Sequence, residues 1–278
     1  MEKTVKQRKR WFLKIELAVL VCVICIWIVK PFTTEVDSAK AAVLKQLGKI
    51  EPNDAHAHNL LGDAYCDLSN YDKAIDAYKK AIRIDPDNSE AYRNLASVYF
   101  SLFRYEKILE FSKKAVDINP NDADAHYMLG SAYNRTGRYE EAVESYQEAI
   151  KINPKHFDAY SSLAGCYWGL GNYEESIEAS KHAIKIKPNC AFEYFCLGDN
   201  YYELGRYEEA IDTYRQFLEI DIEPDMSDPA YVHYAEVHYH LGQAYMKTGD
   251  KDLALEQYEI LKTMDKDLAS ELLSLIEE

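Results

Sequence analysis

From about residue 55 onward, apolar positions recur at spacings of three and four, in blocks that return every 34 residues. The block spanning 123–154, ADAHYMLGSAYNRTGRYEEAVESYQEAIKINP, shows the pattern most fully. Its first half sets Tyr127, Leu129, Gly130 and Tyr133 on one helical face. Gly137 follows, where the chain must leave the helix through a left-handed residue. A second helix carries Tyr139, Ala142, Val143, Tyr146, Ala149 and Ile150, and Pro154 ends it, because proline cannot continue a helix. Prolines at 52, 86, 120, 154 and 188 keep the same beat. A helix pair with an apolar face left over must stack on a neighbour, so the pattern predicts an all-α solenoid.

The residues at fixed places in the block carry a resemblance. A small residue stands at the eighth position (Gly62, Ala96, Gly130, Ala164, Gly198, Gly242), preceded each time by leucine, from Leu61 to Leu241. An aromatic follows three places on: Tyr65, Tyr99, Tyr133, Tyr167, Tyr201 and Tyr245. The second helix opens its apolar face with Ala74, Ile108, Ala142, Ser176, Ala210 and Ala254. This pattern, over about residues 55–266, resembles the tetratricopeptide repeat (TPR). The resemblance implies a right-handed α-solenoid of about six helix-turn-helix units. The repeats are placed at 55–88, 89–122, 123–156, 157–190, 191–224 and 235–266, with an insertion at 225–234. Residues 37–54 predict an N-terminal capping helix in register with the second helix of a repeat, and 267–278 an amphipathic C-terminal cap. Asp228 and Pro229 suit an N-cap and first turn, so the first helix of the sixth repeat is expected to begin early and run long.

The N-terminus changes the picture. Residues 1–10 are basic, and 11–29, WFLKIELAVLVCVICIWIV, form an apolar run with no charge from Leu17 to Val29. Nineteen helical residues reach about 28 Å, close to a hydrocarbon core, so the run predicts a transmembrane signal-anchor helix. A cleaved signal peptide is the competing reading, but the nearest A-x-A site, at Ala39–Ala41, lies ten residues beyond the run. With Lys3, Lys6, Arg8, Lys9 and Arg10 ahead of the span, the N-terminus is expected in the cytoplasm and the repeats on the far side, which in a bacterium is periplasmic or extracellular. Residues 30–36 are a short linker.

Charge and candidate chemistry narrow the function. Residues 1–30 hold seven Lys and Arg against two Asp and Glu, a net of +5. With the whole chain at −15, this leaves −20 on residues 31–278. So acidic a body argues against nucleic acid as partner. Cys66, Cys166, Cys190 and Cys196 form no C-x-x-C pair and read as small hydrophobes or incidental thiols, a Cys166–Cys196 bridge in an oxidising compartment being the alternative. His233, His238 and His240 lack metal-ligand spacing on one helix face and read as polar positions of an exposed helix. Each glycine reads as having a structural task, and no nucleophile elbow, Walker loop or acid/base pair is found, so neither catalytic residue, metal nor cofactor is expected.

The TPR resemblance implies a groove lined by positions 2, 5, 9 and 12 of the first helices. It marks Arg93, Ser97, Tyr127, Asn134, Trp168, Phe192, Phe195, Tyr202 and Tyr239 as groove residues. Aromatics not needed for helix packing suit a peptide partner, since they bury large areas at low conformational cost. The same resemblance excludes two known uses. Members that grip chaperone tails want lysine at position 5 with asparagine at position 9, and Asn59 with Asp63, like Arg93 with Ser97, departs from that. The asparagine ladder of the O-linked sugar transferase is missing too, only Asn94 matching. The expected protein is a membrane-anchored scaffold, touching the bilayer through residues 11–29 and binding a partner's peptide segment or amphipathic helix, for assembly of an envelope or membrane complex. Homo-oligomerisation is allowed. The alternative is a non-catalytic accessory subunit related to TPR-fused enzymes such as glycosyltransferases.

Overall fold

The structure, a computed structural model, describes residues 53–220 and 229–277, with side chains described throughout except at 229–233. The expected anchor at 11–29, the linker, and the capping helix up to residue 52 lie outside the described residues. Among the described residues no helix is long and apolar enough to cross a membrane. The described chain is all-α and divides after Pro120 into two compact units.

The first unit holds α1 (Ala55–Asp67), α2 (Tyr71–Ile84), α3 (Ser89–Ser101) and α4 (Tyr105–Ile118). The second holds α5 (Ala123–Arg135), α6 (Tyr139–Ile152), α7 (Phe157–Gly169), α8 (Tyr173–Ile186), α9 (Ala191–Glu203) and α10 (Tyr207–Glu219). It closes with α11 (Pro229–Thr248), α12 (Lys251–Met264) and α13 (Lys266–Glu277). Within each unit every helix packs on the next, which is how a solenoid buries its leftover faces. α11 is 20 residues long and starts at Pro229, so part of the ten-residue insertion has become helix. Proline is welcome there because a first-turn N–H has no intrahelical partner to lose.

Caps recur with the block. The side chains of Asp54, Asn88 and Asp122 accept the backbone N–H three residues on, at 2.9–3.1 Å. At the start of α7 the cap is His156, whose Nδ1 accepts the Ala159 N–H at 3.3 Å. Between the helices of a repeat the chain passes through positive φ every time. Gly137, Gly171, Gly205 and Gly249 occupy that place in the later repeats, but Ser69 and Phe103 occupy it in the first two, each at φ 55°. A side chain there crowds the following carbonyl.

The cores follow the register. The residues that open the second-helix face, Ala74, Ile108, Ala142, Ser176, Ala210 and Ala254, are all buried. Inside each repeat, the eighth residue faces the twenty-fourth. Gly62, Gly130 and Gly198 lie flat against Tyr78, Tyr146 and Tyr214, and a Cβ on any of them would meet the ring at 2.3–2.7 Å. Repeats two and four use the pairs Ala96/Ser112 and Ala164/Ser180 at the same places. Gly242 departs from this, because it packs against Leu272 of the closing helix α13. Gly165 departs further: a Cβ there would meet nothing within 4 Å and its φ is not positive. It therefore has no structural task, contrary to the expectation for every glycine.

The four described cysteines are free, so Cys166 and Cys196 do not form a bridge. Burial raises the pKa of all four, that of Cys166 to about 12, which leaves them as inert thiols.

Candidate functional site

The first helices of successive repeats present the expected groove positions. Arg93 and Ser97 lie in the first unit and the other seven in the second. Arg93, half-buried on α3, reaches Glu90 at 3.9 Å and the Asn94 amide oxygen at 3.4 Å. Ser97 is exposed. Inside the same unit Asp63 ties two repeats together: one carboxylate oxygen accepts the Tyr78 hydroxyl at 2.7 Å and the Asn94 amide at 3.0 Å.

In the second unit the aromatics divide into two groups. Tyr127 is half-buried, its ring 5.8 Å from Tyr146 and 5.1 Å from His156, so packing accounts for it. Tyr202 likewise sits edge-on to Tyr207 at 5.3 Å. Phe195 stacks on His240 at 5.6 Å, and Tyr239 flanks the same imidazole at 5.7 Å, so α9 and α11 bring these two groove residues together around a histidine. Asn134 is half-buried near the end of α5. Trp168 and Phe192 are different: they expose 50% and 47% of their surface, on the consecutive first helices α7 and α9. Trp168 makes no ring contact among the described residues. Gly165, one turn before Trp168 on α7, leaves bare backbone on a helix that alanine would stabilise.

Two histidines expected from the sequence to be exposed polar positions are instead tied to neighbouring helices. His240 is not an exposed polar position. Its Nδ1 donates to Asp199 at 2.7 Å, and the same carboxylate oxygen accepts the Tyr214 hydroxyl at 2.6 Å. This repeats the Asp63–Tyr78–Asn94 arrangement of the first unit, with His240 in the place of Asn94. The signal was present in the register, since Asp63 and Asp199 are ninth residues and Asn94 and His240 sixth residues of the following repeats. His238 is also partly buried; it donates from Nδ1 to the Gln257 carbonyl at 2.7 Å, and burial lowers its pKa. Both histidines are thus committed to neighbours. Among the described residues no group of three or more His, Cys, Asp or Glu is arranged to hold a metal ion.

A second concavity, an open hollow of about 450 Å³, lies between α7 and α8, walled by Tyr160, Tyr167, Glu178 and His182. Tyr160 stacks on His182 at 5.0 Å and Tyr167 accepts a hydrogen bond from Gln147, while the nearby Glu174 and Glu178 pair with Arg206 and Lys181. Several of its polar groups are thus engaged by residues outside the hollow.

Helix pairs stacked and capped at a fixed period define an α-helical repeat fold. The chain belongs to the tetratricopeptide repeat family. Models described as TPR repeat match residues 62–102 and 130–171, and models described as tetratricopeptide repeat match 89–122, 111–144, 156–223 and 195–269. The crystal structure of MamA is similar at 32% identity, with 58% of this chain and 94% of that chain covered and a TM-score of 0.55. PilF of Pseudomonas aeruginosa shares the fold at 20% identity, covering 79% and 96% of the two chains with a TM-score of 0.64. YrrB, a TPR protein with an unusual peptide-binding site, does so at 19% identity, 65% and 93% coverage and a TM-score of 0.56. A search of curated proteins found no match.

Proposed function

We propose that this protein is a non-catalytic, membrane-anchored scaffold that holds a segment of a partner protein on the first helices of its second unit. The observation that carries the reading is the pair Trp168 and Phe192. Two large aromatics are left about half exposed on consecutive repeats, and burying them against a ligand would release water from a large apolar area. Gly165 supports it, because an interior helical glycine without neighbours leaves room for a ligand backbone beside the indole. YrrB offers a precedent for peptide binding on a scaffold of this fold. The apolar run at 11–29 supplies the anchor and the basic residues before it keep the N-terminus cytoplasmic, so the repeats act on the far side, in assembly of a membrane-associated complex.

Trp168 makes the test direct, since the other two tryptophans, Trp11 and Trp27, both lie in the N-terminal segment. In full-length protein with Trp11→Phe and Trp27→Phe, peptides selected on an array should shift the Trp168 emission. A Trp168→Ala, Phe192→Ala protein with an unchanged circular dichroism melt should lose those array signals. Retention of the signals by that double variant would move binding away from this face. Protease accessibility of the repeats in sealed membrane vesicles decides the orientation.

A further inference from the structure

The polar character of the same face tells which segment it would take. In the second unit, positions 2, 5, 9 and 12 of the first helices carry the carboxylates Asp124, Asp158, Asp199 and Glu236 among the aromatics, and no lysine or arginine. Asp199 is engaged by Tyr214 and His240, and Asp124 faces the His156 Nε2 at 3.2 Å. Asp158 is exposed on α7 and has no hydrogen-bond or ion-pair partner among the described residues.

Beside it is an unbalanced buried acid. Glu193, on α9 next to Phe192, exposes only 1% of its surface. Its carboxylate accepts the Ser161 hydroxyl at 2.5 Å from the neighbouring repeat. A carboxylate has room for several donors, and buried ones are ordinarily matched by a cation. Here burial and the charge of Asp158 both raise the Glu193 pKa, and no cation acts on it. Two acids from adjacent repeats therefore act on one another electrostatically, and the Lys187 ammonium is held over the ring of Phe157, next to Asp158 in the chain, at 3.9 Å.

We infer that the second unit selects a basic partner segment, a lysine or arginine of which pairs with Asp158 while its apolar residues cover Trp168 and Phe192. The inference rests on the scaffold reading above and adds the charge of the ligand. First-turn acids also suit the helix dipole, so the test reads binding and not stability.

The probes are two short peptides, one alternating lysine with leucine and its twin with glutamate in place of lysine, titrated into the full-length Trp11→Phe, Trp27→Phe protein in neutral detergent. The lysine peptide should shift Trp168 emission and the glutamate twin should not. Asp158→Lys should weaken the lysine peptide by roughly fivefold or more, as expected for loss of a charge pair and its replacement by repulsion. The same change at Glu144, exposed on α6, should alter it by less than about twofold. Equal weakening by Asp158→Lys and Glu144→Lys would overturn the inference, since binding would then follow only the diffuse negative charge of the body. Equal binding of the two peptides, or silence of Trp168 toward both, would overturn it as well. The scaffold reading is decided apart from these results by the array: neutral or acidic peptides that depend on Trp168 and Phe192 would sustain it while sinking the preference for basic ligands.

Discussion

The eighth and twenty-fourth residues of each repeat act as one packing unit, and exchanging the pair of one repeat for that of another tests this. Gly130 lies against Tyr146, a side chain only 1% exposed, whose hydroxyl meets the Ser131 hydroxyl at 3.3 Å. A Cβ on Gly130 would stand 2.7 Å from two ring carbons, too close for any real contact. Overpacking of this kind costs about 1–3 kcal/mol, and the gain in helix propensity on replacing glycine by alanine returns about 1 kcal/mol. Gly130→Ala should therefore destabilise by up to about 2 kcal/mol. Tyr146→Ser alone opens a cavity and should cost about 3–5 kcal/mol. The double variant recreates the Ala164/Ser180 pair of the fourth repeat, in which the smaller side chain on α8 leaves room for the Cβ on α7. It should be less destabilised than the sum of the single changes by at least about 1 kcal/mol. Urea unfolding followed by circular dichroism measures the three variants. Solenoids can unfold in stages, so hydrogen exchange across α5 and α6 should accompany it to place the loss in that repeat. Additivity within about 0.5 kcal/mol, or stabilisation by Gly130→Ala, would refute the reasoning.

Other outcomes follow from single positions. Phe103 is 67% exposed and held at φ 55°, where later repeats use glycine, so Phe103→Gly should stabilise by about 0.5–1 kcal/mol after the added chain entropy of glycine is counted, read as a raised urea midpoint. Gly165→Leu should leave the melting temperature unchanged or higher, because helix propensity improves and nothing crowds the site, yet abolish the ligand-induced shift of Trp168 emission. Glu193 has its pKa raised in the folded state, so the stability it confers is fully present below about pH 4.5, its ordinary value, and is lost as the pH rises through the raised folded pKa. Glu193→Gln should therefore raise the melting temperature at pH 7 and flatten that pH dependence; a steeper profile in the variant would contradict the assignment.

The period of 34, the alternation of first and second helices among the described residues and the burial of the residues that open each second-helix face were legible in the sequence because they are local. Spacing of three and four fixes a helical face, proline stops a helix, and a left-handed glycine turns it, whatever the neighbours do. The candidate aromatics were legible as positions, since the register places them on first helices. Their exposure was not. Tyr127 and Tyr202 occupy the same kinds of position as Phe195 and Trp168, but neighbouring rings cover the first two while Trp168 stays half open. His240 illustrates the same limit. Its spacing suggested a solvent-facing residue on a long helix, whereas Asp199, 41 residues earlier, holds it against Phe195. Only tertiary packing brings such distant partners within hydrogen-bond range and removes them from water, and that removal is what leaves Glu193 an acid without a cation. Sequence alone determined the repeat, because each helix pair is a local solution to burying one apolar stripe. Tertiary structure decided which of the remaining side chains are still available to a partner, because exposure depends on residues a repeat away.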